Sequence, residues 1–158
     1  MPPFTRPAAL LDLPTPAATA ALGAALADVL RPGDTIALEG DLGAGKSTLA
    51  RAIIAALGWG GEVPSPTFAL VQPYEPPDVR LPVWHVDLYR LAGPAEADTL
   101  GLFETDAALI IEWPQRLGPR LPADALILRL AGSGDAPRRL TWRAPPAWEA
   151  RWPPPLTR

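Results

Sequence analysis

The sequence predicts a single α/β domain: a mixed, mostly parallel sheet flanked by helices, with a β-hairpin towards its C-terminal end. Three observations carry this reading. A glycine-rich octet, "GDLGAGKS" at residues 40–47, stands between a short apolar run and a proline-free run rich in alanine and leucine. Several further apolar runs follow, with few helical stretches between them. The chain has 158 residues, 48% hydrophobic and 20% charged, which is enough for one buried core and ordinary for a globular domain.

Taken in order, residues 16–30, "PAATAALGAALADVL", space Leu22, Leu26, Val29 and Leu30 at helical intervals, with Thr15 placed as an N-cap. "RPGD" ends that helix, and "TIAL" (35–38) has the length and composition of a buried strand. The glycine turn follows, then a helix over 47–58, "STLARAIIAALG", closed by Gly58. "TFALVQPY" (67–74) and "LPVWHVDLYRL" (81–91) read as strands separated by the polar "EPPDVR". Residues 93–102 form a short helix with an acidic first turn, and "AALIIEW" (107–113) is a further buried strand. "ADALILRL" (123–130) and "RRLTWR" (138–143), joined by "AGSGDAP", make the hairpin. Many of the 22 prolines crowd the two ends, so the folded unit is expected over 8–144, with 145–158 an extended proline-rich tail.

Composition narrows the function classes. With no cysteine, disulfides, thiolate metal sites and a cysteine nucleophile are excluded. No apolar run approaches a membrane span, and the first residues, "MPPFTRPAALLDLPTP", interrupt any apolar leader with proline, so a cytoplasmic protein is expected. A net charge of −3 argues against binding DNA or RNA by charge alone. That charge is uneven: residues 116–158 hold eight arginines against Asp124, Asp135 and Glu149. This basic end is read as a solvated face, with an acidic partner or RNA as the other option.

Lys46 is the only lysine beside thirteen arginines, and it sits inside the octet. "GDLGAGKS" matches G-x-x-x-x-G-K-(S/T), the phosphate-binding P-loop. Its glycines allow positive φ, so successive backbone N–H groups converge on phosphate oxygens, and the following helix adds the partial positive charge of its N-terminus. A lysine ammonium fits this closed loop as a point charge on the β- and γ-phosphates, where a flat arginine fork would not. Ser47 offers a hydroxyl to Mg²⁺.

Such a site needs an acid at the end of a neighbouring strand, and Asp87 and Glu112 both follow apolar runs. On the residues alone either serves. Thr67 in "VPSPTF" is placed either as a γ-phosphate-sensing switch residue or as a stiff turn entering a strand. His85, the single histidine, alternates with Asp87 and Tyr89 and is read first as a hydrogen-bonded structural residue. Arg90 is open between phosphate and a carboxylate partner. Trp113 is read first as core, with packing near the site as the other option.

"GDLGAGKS", "SPTFALVQPY", "HVDLYRL", "GLFE" and "IIEWPQR" together resemble, in order and spacing over about residues 15–145, the TsaE (YjeE) family of small bacterial P-loop ATPases. The resemblance implies a cytoplasmic, Mg²⁺-dependent ATPase, weak alone, that works with the TsaD and TsaB proteins in forming threonylcarbamoyladenosine (t6A) at position 37 of tRNA. It implies contact with tRNA only through that complex. TsaE is thought to reset the complex through its ATP cycle rather than to transfer the group itself. By position, the ATP-binding residues would be Asp41, Leu42, Gly43, Ala44, Gly45, Lys46, Ser47 and Thr48. Ser47 and Glu112 would hold Mg²⁺, and Lys46, Asp87 and Thr67 would serve hydrolysis or switching. Ser47 stands where threonine is commoner, and Gln115 where glutamate is frequent. Two other readings keep the loop: a small P-loop kinase, and an ATP-sensing regulator. A GTPase is the least favoured, because N-K-x-D, the usual guanine-reading motif, cannot be written without asparagine or a second lysine.

Overall fold

The six runs that the sequence marks as strands, joined by Leu10–Leu13, assemble side by side into one seven-stranded sheet. The computed structural model describes residues 10–64, 66 and 70–154. Chain order within these is β1 (Leu10–Leu13), α1 (Pro16–Val29), β2 (Thr35–Glu39), α2 (Lys46–Ala56), β3 (Val71–Tyr74), β4 (Val83–Asp87), β5 (Ala108–Glu112), β6 (Leu126–Ala131) and β7 (Arg138–Arg143). The order across the sheet is β1-β7-β6-β2-β5-β4-β3. Pairings β6-β2, β2-β5 and β5-β4 are parallel, and the outer pairings β1-β7, β7-β6 and β4-β3 are antiparallel. β7 and β3 therefore run against the other five strands, and β6 with β7 is the expected hairpin.

The central strands β2 and β5 are largely apolar up to their last residues because both their faces are covered. In β5, Ala108 and Ile110 join one core with Leu22, Leu26, Leu49 and Ile53 of the two α-helices. Leu109 and Ile111, pointing the other way, join a second core with Leu88, Leu91, Leu102 and Leu117. Both α-helices lie with the first core, and the second holds residues of the short 3-10 segments Pro94–Thr99 and Pro114–Arg120. The helix expected over 93–102 is thus a six-residue 3-10 turn, begun by Pro94 and closed before Gly101 at φ 73°. α1 opens as its sequence foretells: the Thr15 side chain accepts from the Ala18 N–H, with Pro16 at the first helical position. It packs closely on α2 at Gly23, where a Cβ would lie 2.5 Å from the Cβ of Ala52.

Two corrections concern the ends. Leu10–Leu13, inside the expected folded unit but given no element on sequence, is an edge strand paired with β7 in the register Leu11↔Leu140. The boundary expected at residue 144 does not end the packing. Trp148 and Trp152 are 1% and 6% exposed and belong to the first core, and Trp152 meets Trp142 edge-on at 5.3 Å. Arg151 forks onto Asp34 and donates to the Val29 carbonyl at 2.9 Å. The prolines suggest an extended chain, but two tryptophans four residues apart supply enough apolar surface to fold residues 145–154 back onto α1 and β7.

Candidate functional site

Because β2, β5 and β4 are parallel, their last residues, Glu39, Glu112 and Asp87, lie along the same edge of the sheet. The chain leaves β2 into the loop of residues 40–45 and enters α2 at Lys46, one residue earlier than the sequence suggests. Gly40 must be glycine, since a Cβ there would stand 2.6 Å from the Leu130 carbonyl oxygen. Gly45 caps α2 at φ 105°, a conformation that glycine adopts without strain. The Ala44 N–H closes the turn onto the Asp41 carbonyl at 3.0 Å. The N–H groups of Lys46, Ser47 and Thr48, at the start of α2, have no acceptor within their own helix and face the helix mouth.

Lys46 is 5% exposed and spans the loop, its Nζ donating to Gly40 O at 2.6 Å and Asp41 O at 2.8 Å. Burial pushes its pKa below the ordinary 10.5, while Glu112, Asp87 and Asp41 pull it back up. Glu112 is held at both oxygens. Ser47 Oγ donates to Oε1 at 2.9 Å, and His85 Nε2 lies 2.6 Å from Oε2. His85 is fully buried and its Nδ1 has no hydrogen-bond partner. The neutral Nε2–H tautomer satisfies the carboxylate and leaves only an acceptor without a partner, whereas an imidazolium would strand a buried N–H donor. Asp87 pairs with Glu112 in the β4–β5 register, and its Oδ1 accepts from the Tyr89 N–H at 3.0 Å.

A cavity of about 380 Å³ opens over this group, lined by Leu42, Lys46, Ser47, Asp87, Arg90 and Glu112 among others. A second cavity, about 200 Å³, adjoins it across Gly45 and Thr48 and is walled by Leu13, Pro14, Pro16, Leu130 and Ala136. Lys46, Ser47, Asp87 and Glu112, proposed on sequence, thus come together. Gly43, Ala44, Gly45 and Thr48 form the loop and helix mouth beside them. Asp41 contributes through its carbonyl, and Leu42 stands at the tip, 67% exposed. Thr67 lies outside the described residues.

Trp113, read on sequence first as core and second as packing near the site, is only half-buried and takes the second place. Its backbone is left-handed (φ 60°, ψ 49°), a strained conformation for a bulky residue. That backbone sets the indole 4.4 Å from Lys46 Nζ and 5.0 Å from the Tyr89 ring. Tyr89 falls beyond the end of β4, so it does not continue the His85–Asp87 face; it is exposed. Arg138 was not singled out by sequence at all. It reaches from β7 to donate to Ala44 O at 2.9 Å and Gly43 O at 3.2 Å. No local signal marks it, because its two partners in residues 40–45 lie 94 and 95 residues away.

The chain is similar in sequence and in fold to known proteins. Residues 13–140 fit the family model described as threonylcarbamoyl adenosine biosynthesis protein TsaE. The chain belongs to the TsaE family. The TsaE of Bacillus subtilis is 36% identical over 132 residues, covering 82% of this chain and 81% of its own. The Mycobacterium tuberculosis TsaE is 36% identical over 140 residues, with 82% and 83% covered. The Haemophilus influenzae TsaE is 44% identical over 94 residues, covering 57% and 58%. All three carry the name tRNA threonylcarbamoyladenosine biosynthesis protein TsaE. The crystal structure of Bacillus subtilis YdiB superposes with a TM-score of 0.71 at 30% identity, covering 85% of this chain and 84% of that one. The TsaE match spans the loop, β4, β5 and the first residues of β7, so every group described at the site falls inside it.

Proposed function

We propose that this chain is the ATP-binding and ATP-hydrolysing subunit of t6A formation on tRNA, working in the cytoplasm with TsaD and TsaB. The observation that carries it is the meeting of Lys46 and the α2 mouth with Ser47, Glu112 and Asp87. N–H groups and an ammonium gather where phosphate oxygens would lie, facing two carboxylates and a hydroxyl. The adjoining apolar cavity suits a base and ribose.

The donor set fits Mg²⁺, a hard cation usually held by one or two carboxylates together with substrate phosphates and water. Ser47 and Glu112 would hold it: Ser47 gives its proton to Glu112, which leaves the hydroxyl lone pairs for the metal. Both oxygens of Glu112 retain a lone pair after accepting from Ser47 and His85. Bound there, the ion would neutralise charge building on the phosphate oxygens as water displaces ADP. Lys46 binds the phosphate chain, Asp87 orients the attacking water, and Thr67 follows the γ-phosphate. Hydrolysis, coupled to TsaD and TsaB, resets that complex between turnovers on tRNA. No helix among the described residues is long and apolar enough to cross a membrane.

The test is multiple-turnover t6A formation on unmodified tRNA by TsaD and TsaB, with and without this chain and ATP. The proposal expects repeated turnover only with the chain present, and none with Lys46→Ala. Turnover that is indifferent to the chain would overturn it.

A further inference from the structure

Arg138 makes four hydrogen bonds, and every acceptor is a backbone carbonyl: Gly43 and Ala44 of the phosphate loop, Gly134 and Ala136 of the β6–β7 turn. An arginine this close to acidic residues would ordinarily take a carboxylate, as Arg120, Arg129, Arg139 and Arg151 do. Arg138 instead lines both cavities and stands over the helix mouth, its Nε 3.6 Å from where a Cβ on Gly45 would be.

The carbonyls it grips belong to particular peptides. In a trans peptide the C=O and N–H point to opposite sides. The Ala44 carbonyl shares a peptide with the Gly45 N–H, so a donor fixed on the carbonyl aims that N–H away from Arg138. A cationic donor also polarises the peptide and makes its N–H a stronger donor. The neighbouring Gly43–Ala44 peptide is held at both ends, by Arg138 on its oxygen and by Asp41 O on its N–H. Only a planar guanidinium has donors enough, spread widely enough, to reach four carbonyls on two loops; an ammonium does not.

We propose that Arg138 is a positioning residue for nucleotide binding. It fixes the Gly43–Ala44 and Ala44–Gly45 peptides of the phosphate loop through their carbonyls and fastens the β6–β7 turn to them. The inference rests on the ATP-binding reading above. It gives one of the eight late arginines a definite task, in place of the solvated face expected from composition.

The experiment is titration of ATP, and of inorganic tripolyphosphate as a base-free probe, into the full chain and its Arg138→Gln and Arg138→Lys variants, with melting curves for each. Amide exchange across residues 43–48 is measured in parallel. Arg138→Gln is expected to weaken ATP and tripolyphosphate by the same factor, about tenfold or more, and to speed exchange at Gly45. Arg138→Lys keeps the charge but loses the fork, and recovers only part of the affinity. ATP binding by Arg138→Lys or Arg138→Gln within twofold of wild type would overturn the inference while leaving the nucleotide reading intact. Full recovery by lysine would reduce Arg138 to a charge and overturn its positioning role. A wild-type chain that binds neither probe, with Gly45 exchange still faster in Arg138→Gln, would sink the ATP reading instead.

Discussion

Lys46 and Ala44 close the loop of residues 40–45 on carbonyls within six positions of themselves, whereas Arg138 and Arg151 reach partners across most of the chain. Lys46 bonds carbonyls six and five residues back, and Ala44 closes a turn onto Asp41. Arg138 reaches 94 residues back to Ala44, and Arg151 reaches 117 residues back to Asp34. The first region owes its form to glycine conformations and a helix start, which are local properties. The second owes its form to two buried tryptophans and to arginines whose partners exist only once the sheet has closed. One region is set up to bind; the other holds the fold together, and at Arg138 the two touch.

Variants can break that division. The largest effect is expected from Trp148→Ala, which removes an almost fully buried indole from the first core. A loss of about 3–5 kcal/mol in denaturant unfolding is expected, with ATP affinity of the folded fraction unchanged. An affinity that falls in step with stability would show that the two regions are not separable. Next comes Glu112→Gln, which keeps the shape but removes the charge that Ser47 meets. Mg²⁺-dependent hydrolysis should drop about a hundredfold, and nucleotide binding in EDTA should move by less than about threefold. Equal losses of the two would make Glu112 a structural residue. The smallest effect sharpens the comparison inside the site. His85→Leu strands Glu112 Oε2 without its donor and should slow hydrolysis about tenfold, and His85→Gln, which can still donate an N–H, should recover part of that rate. Identical rates in the two variants would leave the tautomer argument without support.

How much the sequence discloses follows the same division. Gly40, Gly45, Lys46 and Ser47 announce their places because the motif encodes a backbone path, and β2 and α2 fall within one or two residues of the expected bounds. Asp87 and Glu112 are legible as strand-end acids, since parallel strands bring their ends to one edge. Trp113 is half legible: an aromatic after an apolar run reads first as core, next to Glu112 it reads second as a neighbour of the site, and its left-handed backbone turns the indole over Lys46. His85 reads as structural, and it is buried, but its bond to Glu112 depends on the β4–β5 register. The last segment misleads because prolines dominate its composition, while Trp148 and Trp152 decide its fate. Arg138 stays hidden because neither of its loop partners lies near it in the chain.

The central claim is that Lys46 and the mouth of α2 bind the phosphates of ATP. It is tested most directly by calorimetric titration of Mg-ATP into the wild-type chain and Lys46→Ala, each checked by its melting curve. The account predicts saturable binding of one nucleotide per wild-type chain and none to a Lys46→Ala variant that melts as a folded protein. Undiminished affinity in that variant would contradict it.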